Sequence, residues 1–323
     1  MRKVLVAGVG AIGGIVAARL SGQAYVVGLD TNAAHAQHIS EHGLTIEGAS
    51  NLRAHFPCVS RADDLIDDPF DAIVFLVKSG ATARVLQGLQ PLLAHRPLLV
   101  TLQDGMGNVE LLVETGCPVA RGATMTGARQ LAPGRVEHLI RGATWMGPAQ
   151  GSLEDVWWFG DLLCASGMPC EVIADVMDAI WSKFVLNCVM TPVGALVDGH
   201  NAARHEVPEV CDLLDTLAAE CQQVVRALGG SFAFDPMAFV HKVRSGAVPM
   251  PRHAGSMALD IARGGDTEID ALTGWVVRQA DRLGIPVPAC RTVTALVKGL
   301  EYAARERHCA TQGVAKADNI GAD

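Results

Sequence analysis

KVLVAGVGAIGGIVAARLSG, Lys3–Gly22, decides how the first half of this chain is read. Val4, Leu5, Val6 and Ala7 form an uninterrupted apolar run, the pattern of a strand buried on both faces of a sheet. Gly8, Gly10 and Gly13 follow at G-x-G-x-x-G spacing, and a helical run opens at Ala11 and Ile12. The first glycine permits a tight turn, the second lets backbone approach a pyrophosphate, and the third lets helix and strand pack closely. The helix N-terminus supplies free N–H groups and a partial positive charge. The same glycines would serve an ordinary turn, so context decides. A second strand, AYVVGLD, ends in Asp30 about twenty residues on, where a dinucleotide fold places its ribose-binding acid.

Asp30 narrows the cofactor. A carboxylate at the end of the second strand accepts hydrogen bonds from the adenosine ribose and repels a 2′-phosphate. The following run, DTNAAHAQH, contains no arginine, so NADH is favoured over NADPH. The competing reading is that Asp30 caps the next helix.

The alternation continues through DAIVFLVKS (Asp71–Ser79), a helical stretch ending near Ala94, and PLLVTLQDGMGN (Pro97–Asn108). Strands separated by helices predict a parallel sheet whose ligands bind beyond the carboxyl ends of the strands. Polar features stand at such ends: the glycine turn, Lys78, and the loop Gln103-Asp104-Gly105. Lys78 also reads as a solvated lysine at a strand end. RGATMTGARQLAPGRVEHLIRGATWMGP then reads as a β-ribbon turning at Pro133-Gly134.

From Leu153 the period becomes helical, with helices expected over 153–166, 175–196, 207–228, 235–245, 267–284 and 289–308, and a short strand near PCEVIA. In DAIWSKFVLNCVMTP (Asp178–Pro192), Lys183 and Asn187 lie four apart on one face of an otherwise apolar helix. A buried ammonium needs a partner, so these residues are expected to face something that repays its desolvation. Cys188, in the same helix, reads as a small core residue. In GSMALDIARGGDTEIDALTGWVV, Thr267 and Asp270 have capping-box spacing, and Glu268 suits the first turn of a helix. Ser256 reads equally as a helix N-cap.

Composition excludes other classes. The chain of 323 residues is half hydrophobic and 19% charged, the balance of a folded protein long enough for two domains. A net charge of −8 gives no basic footprint for nucleic acid. No uninterrupted apolar run reaches the ~18 residues of a membrane span. The start, MRKVLVAG, has the charge and apolarity of a signal peptide, but a glycine-punctuated strand follows with no convincing cleavage site. The nine cysteines form no C-x-x-C pair, which predicts free thiols in a reducing cytoplasm and no metal site.

Taken in order, GVGAIGG, the LVKS strand end, LQDGMGN, PGRVEH, WSKFVLNCVMTP and SMALDIARGGDTEIDAL resemble the ketopantoate reductase (2-dehydropantoate 2-reductase) family over nearly the whole chain. W-x-K-x-x-x-N and S-M-x-x-D…T-E-I-D are the specific signatures; the glycine motif is shared with many dehydrogenases. The resemblance implies an α/β Rossmann-type domain over 1–172 and an all-α, 6-phosphogluconate-dehydrogenase-like domain over 173–310. A loose tail is expected over 311–323.

The resemblance also implies hydride transfer to the C2 carbonyl of a 2-oxo acid, with 2-dehydropantoate giving D-pantoate, in a cleft between the domains. NADP(H) is the family default. The catalytic lysine falls on Lys183 and the substrate-binding glutamate on Glu268. Asn187 and Ser256 fall on substrate positions, and Lys78 on a lysine near cofactor and substrate. Against the pattern, Asp104 replaces an asparagine of the L-Q-N-G loop, Thr191 a second asparagine before proline, and Thr273 another, while Asp30 replaces the arginine of NADPH users. Asp104, Thr191 and Thr273, on the substrate side, raise an alternative that Asp30 supports: an NAD-dependent D-2-hydroxyacid dehydrogenase acting on a branched-chain or aromatic 2-oxo acid. A non-catalytic dinucleotide sensor is a third reading, against which Lys183 and its partners stand. An apolar helical domain leaves room for a homodimer.

Overall fold

In a computed structural model of the chain, the described residues are 1–65, 69–249 and 254–320, with side chains described as far as His308. The elements run β1 (Lys3–Ala7), α1 (Ala11–Leu20), β2 (Tyr25–Leu29), α2 (Ala33–His42), β3 (Leu44–Gly48), β4 (Leu52–Ala54), β5 (Cys58–Val59), β6 (Ala72–Phe75), α3 (Thr82–Gly88), β7 (Leu98–Thr101), α4 (Asn108–Val113), β8 (Val119–Thr124), β9 (Gly127–Ala132), β10 (Arg135–Ile140), β11 (Thr144–Gln150), α5 (Leu153–Ala165) and β12 (Cys170–Val172). They continue as α6 (Met177–Leu196), α7 (Ala203–Glu206), α8 (Pro208–Ala227), α9 (Ala238–Arg244), α10 (Ser256–Ala262), α11 (Thr273–Leu283) and α12 (Pro288–Ile320). Contacts divide the chain between Ile180 and Trp181, with Asp104–Met106 belonging to the second unit. The strand pattern itself ends earlier, at Val172.

The first unit is built on a sheet ordered β12-β11-β8-β7-β6-β1-β2-β5. Its strands are parallel except where β11 runs antiparallel to β8. The apolar run of β1 alternates between two layers. Val4 and Val6 join Ile15, Val16, Phe159 and Leu163 from α1 and α5. Leu5 packs with Ile73, Phe75, Leu86 and Leu89 on the opposite face. Burying such a side chain contributes about 1.5–3 kcal/mol, so a strand apolar on both faces is stable only inside this sandwich. β2 and β6 flank β1 on opposite sides. The strand order reverses there, and the loops after β1 and β6 stand side by side, the usual place for a ligand.

A second sheet, β4-β3-β10-β9, carries the expected ribbon: β9 and β10 form an antiparallel hairpin at Pro133-Gly134. The strands that flank it in sequence, β8 and β11, pair with each other in the main sheet instead.

In the second unit, α8, α11 and α12 pack on one another. Trp181 and Phe184 of α6 meet Trp275 of α11 with ring centroids 5.7 and 5.4 Å away. Cys188, Cys221 and Cys290 are buried, the sulfurs of the last two 3.7 Å apart. Burial pushes the Cys188 thiol up, as expected of a core residue, and the eight described cysteines are free. α6 has the length and apolarity of a membrane span and is largely buried; Lys183 and Asn187 interrupt its apolar run.

Two local expectations need correction. The helix expected from 267 begins only at Thr273, after a 3₁₀ turn over Ile269–Ala271. The capping box does not form, because Thr267 N–H and Oγ1 both donate to Glu301 and Asp270 pairs with Lys298. Ser256 is not an N-cap: Gly255 occupies that position, and the hydroxyl one residue on makes no capping bond. The tail expected over 311–323 has helical backbone as far as Ile320; its side chains, and residues 321–323, lie outside the described residues.

Candidate active site

The glycine loop is held backbone against backbone. Gly8 has φ +91°, and its N–H donates to Leu29 O at 2.8 Å. A Cβ there would lie 2.6 Å from Val77 N, and a Cβ on Gly13 would lie 1.7 Å from Gly8 O. A Cβ on Gly10 would meet nothing within 4 Å, so this side of the loop is open. Ala11 and Ile12 begin α1, which has no acidic side chain in its first turn and no side-chain cap. An open loop beside uncapped helical N–H groups fits a pyrophosphate.

Asp30 Oδ2 accepts from Val9 N–H at 3.0 Å and its Oδ1 accepts from Asn32 N–H at 2.9 Å. The cap of α2 is Asn32, which accepts from His35 N–H, so the helix-capping alternative for Asp30 falls. Burial and the Asp30 carboxylate push the neighbouring Cys58 thiol up to about 12, which keeps it protonated. Lys78 is exposed at the start of a 3₁₀ turn, Ser79–Ala81. The Gln103 amide donates to Val77 O at 2.7 Å and Thr82 Oγ1 at 2.9 Å, while Thr101 Oγ1 donates to its oxygen. Those bonds tie together the ends of β6 and β7; what remains for a cofactor is the backbone that Gln103 fixes and one lone pair.

In the second unit the sequence stripe on α6 resolves into two faces. Trp181, Phe184 and Cys188 point into the core. Asn187 and Thr191 line a cleft with Asp104, Ser256, Met257, Asp260, Glu268 and Leu272. Lys183 is one turn before Asn187, with 13% of its side chain exposed, and its Nζ lies 2.6 Å from Asp104 Oδ1. The ammonium is therefore repaid by a carboxylate. A lone carboxylate in this loop would repel an anion, and the pairing offsets that repulsion.

The other wall comes from the turn after α10. Thr267 is held by Glu301, Arg305 by Asp266, and Met106 N–H donates to Ala271 O at 2.9 Å. Thus Asp266, Thr267 and Ala271 anchor the turn while Glu268 reaches the cleft. Thr191 Oγ1 donates back to Asn187 O at 2.8 Å. Thr273, fully buried, bonds Thr294 Oγ1 at 2.7 Å and faces α12. Asp260 joins the cleft unforeseen. The signal was available: it lies four residues after Ser256 in the S-M-x-x-D signature, on the same helical face. Among the described residues no His/Cys/Asp/Glu group is arranged to hold a metal.

Residues 4–151 match the model of the family described as ketopantoate reductase PanE/ApbA, and residues 175–301 match that of its C-terminal part. The chain belongs to the ketopantoate reductase family. A 2-dehydropantoate 2-reductase of Halobacterium salinarum is 30% identical over 92% of this chain and 98% of its own length. One of Archaeoglobus fulgidus is 28% identical over 93% and 98%. The crystal structure of a PanE/ApbA family ketopantoate reductase from Ralstonia eutropha is 29% identical, with a TM-score of 0.83 over 94% of this chain and 99% of that one. A ternary structure of D-mandelate dehydrogenase with NADH and anilino(oxo)acetate shares the fold at 24% identity and a TM-score of 0.85, covering 94% and 99%.

Proposed function

We propose that the protein reduces the C2 carbonyl of a 2-oxo acid, 2-dehydropantoate to D-pantoate in the first instance. The observation that supports this most is the Lys183 ammonium, nearly buried and paired with Asp104, which lines a cleft with the uncharged hydrogen-bonding groups of Asn187, Thr191 and Ser256. A bound nicotinamide supplies the hydride. As negative charge gathers on the ketone oxygen, Lys183 Nζ stabilises it by hydrogen bonding and delivers the proton that completes the alcohol. Glu268 accepts a hydrogen bond from the substrate's 4-hydroxyl, while Asn187 and Ser256 hold its carboxylate and hydroxyl groups. Oxidation of NADH and NADPH against a panel of 2-oxo acids, 2-dehydropantoate included, tests the reading; no turnover of any 2-oxo acid with either cofactor would sink it.

Asp30 supports NADH. Its carboxylate closes β2 and no arginine follows in Thr31 or Asn32. Asp30→Arg removes the repulsion of a 2′-phosphate and also the Oδ2 bond to Val9 N–H. Both cofactors should bind less well, with the NADPH-to-NADH ratio of kcat/KM rising about tenfold, the low end of 1–3 kcal/mol for a charge-assisted contact. An unchanged ratio would remove Asp30 from cofactor selection.

Asp104 favours a second reading, an NAD-dependent D-2-hydroxyacid dehydrogenase whose substrate has a different side chain. Asp104, Asp260 and Glu268 place three carboxylates around the cleft, and Lys183 pairs with the first of them. Asp104→Asn frees that ammonium and removes one repulsive charge. The expected result is about a tenfold rise in kcat/KM for 2-dehydropantoate, roughly 1.4 kcal/mol. A fall in that value with a branched-chain or aromatic 2-oxo acid already the better substrate would establish the second reading.

A further inference from the structure

His35 lies in α2, is fully buried, and belongs to no motif of the dinucleotide fold. Its Nδ1 is 3.0 Å from Gly134 N–H and 3.1 Å from the Gln130 side-chain nitrogen, both in or beside the β9–β10 hairpin. Its Nε2 is 2.9 Å from Val9 O. These partners fix the tautomer. The Gly134 N–H can only donate, so Nδ1 carries no proton; Val9 O can only accept, so Nε2 carries it.

Val9 stands between Gly8 and Gly10, and both its peptide groups are therefore pinned. Its N–H is held by Asp30 and its C=O by His35. In a trans peptide the carbonyl and the next N–H point in opposite directions. Holding Val9 C=O towards His35 thus turns Gly10 N–H the other way, and a Cβ on Gly10 would stand in open space. The bond spans 26 residues, and the imidazole is itself set by a hairpin 99 residues away, an arrangement no local turn requires.

We propose that His35 is a positioning residue for cofactor binding: it aims the Gly10 N–H at the pyrophosphate of a nicotinamide dinucleotide and uses the β9–β10 hairpin as its support. The proposal rests on the dinucleotide reading above. It makes the affinity of the first unit for a dinucleotide depend on a residue that touches no part of it.

Two substitutions separate this role from packing. A glutamine amide reaches where Nε2 stood and can still donate to Val9 O. An asparagine amide reaches only the Nδ1 position, keeping a partner for Gly134 but losing Val9. NADH binding is measured by isothermal titration on the full chain, with thermal melting alongside. Wild type and His35→Gln should bind within about threefold of one another, and His35→Asn about tenfold more weakly, the worth of one buried hydrogen bond. Asparagine binding as well as wild type overturns the proposal. Glutamine binding as weakly as asparagine also overturns it, since the imidazole would then be acting through its shape. If His35→Asn does not fold, tight binding by His35→Gln sustains the proposal and weak binding ends it. Wild type that binds neither NADH nor NADPH would instead bring down the dinucleotide reading, and this inference with it.

Discussion

Lys183→Ala should lower kcat/KM for the best 2-oxo acid by about a thousandfold while NADH binding stays within a few-fold of wild type. The size follows from two losses. One is the proton donor, which general acid catalysis values at about 10²–10⁴. The other is the positive charge 2.6 Å from Asp104, which offsets the negative charge that this carboxylate presents to an incoming anion. Lys183→Met keeps the length and apolar contacts of the stem, so comparison of the two variants separates packing from charge. Both should be equally inactive, and both should melt close to wild type because the aromatic contacts of Trp181 and Phe184 with Trp275 are on the opposite face of α6. Turnover surviving within a few-fold in either variant would mean that Lys183 does not serve the ketone oxygen. Steady-state kinetics at saturating NADH, with cofactor affinity taken from titration, gives the answer.

The split of α6 into two faces was legible because its period is local: Lys183 and Asn187 recur every four residues among apolar neighbours, and the helix places them together. The strands β1, β2, β6 and β7 were legible for the same reason, each being a short apolar run. Other features depend on distant partners. The strands β3, β4 and β5 are short and mixed in polarity, so the pairing of β3 with β10 and β4, and of β5 with β2, leaves little local pattern. The start of α11 was misplaced because Thr267 is spent on Glu301, which lies 34 residues away. Asp104 was read only as a departure from the asparagine of the L-Q-N-G loop; its ion pair with Lys183 joins residues from separate stretches, and no spacing rule shows it. His35 escaped notice altogether. A histidine in a polar helix carries no signal until the hairpin and the glycine loop close around it.

The glycine loop offers the sharpest test of the first unit, because its glycines meet different obstacles. Gly13→Ala would put a methyl carbon 1.7 Å from Gly8 O and 2.9 Å from Gly8 C. Overpacking commonly costs about 1–3 kcal/mol, but that range assumes side chains that can move aside. Here the obstacle is backbone, and Gly8 is itself fixed by its bond to Leu29 O and by the close approach of Val77 N. Either α1 lifts from β1 or the loop changes shape. Both displace the N–H groups that would hold a pyrophosphate, so NADH affinity should fall by at least about a hundredfold, or roughly 2.7 kcal/mol, with a lower melting temperature. Gly14→Ala is the control for crowding in general: its nearest obstacles are methyl groups of Val136 and Leu44 at 3.2 and 3.3 Å, which can give a little. Its effects on melting and binding should be much smaller. Gly10→Ala reverses the pattern, since its new methyl meets no protein atom within 4 Å. It should melt near wild type and still lose NADH affinity, because the methyl fills the open side of the loop. Loss of stability without loss of binding in Gly13→Ala, or unchanged binding in Gly10→Ala, would place the dinucleotide elsewhere. Loss of both stability and binding in Gly13→Ala, with loss of binding alone in Gly10→Ala, would locate it on this loop.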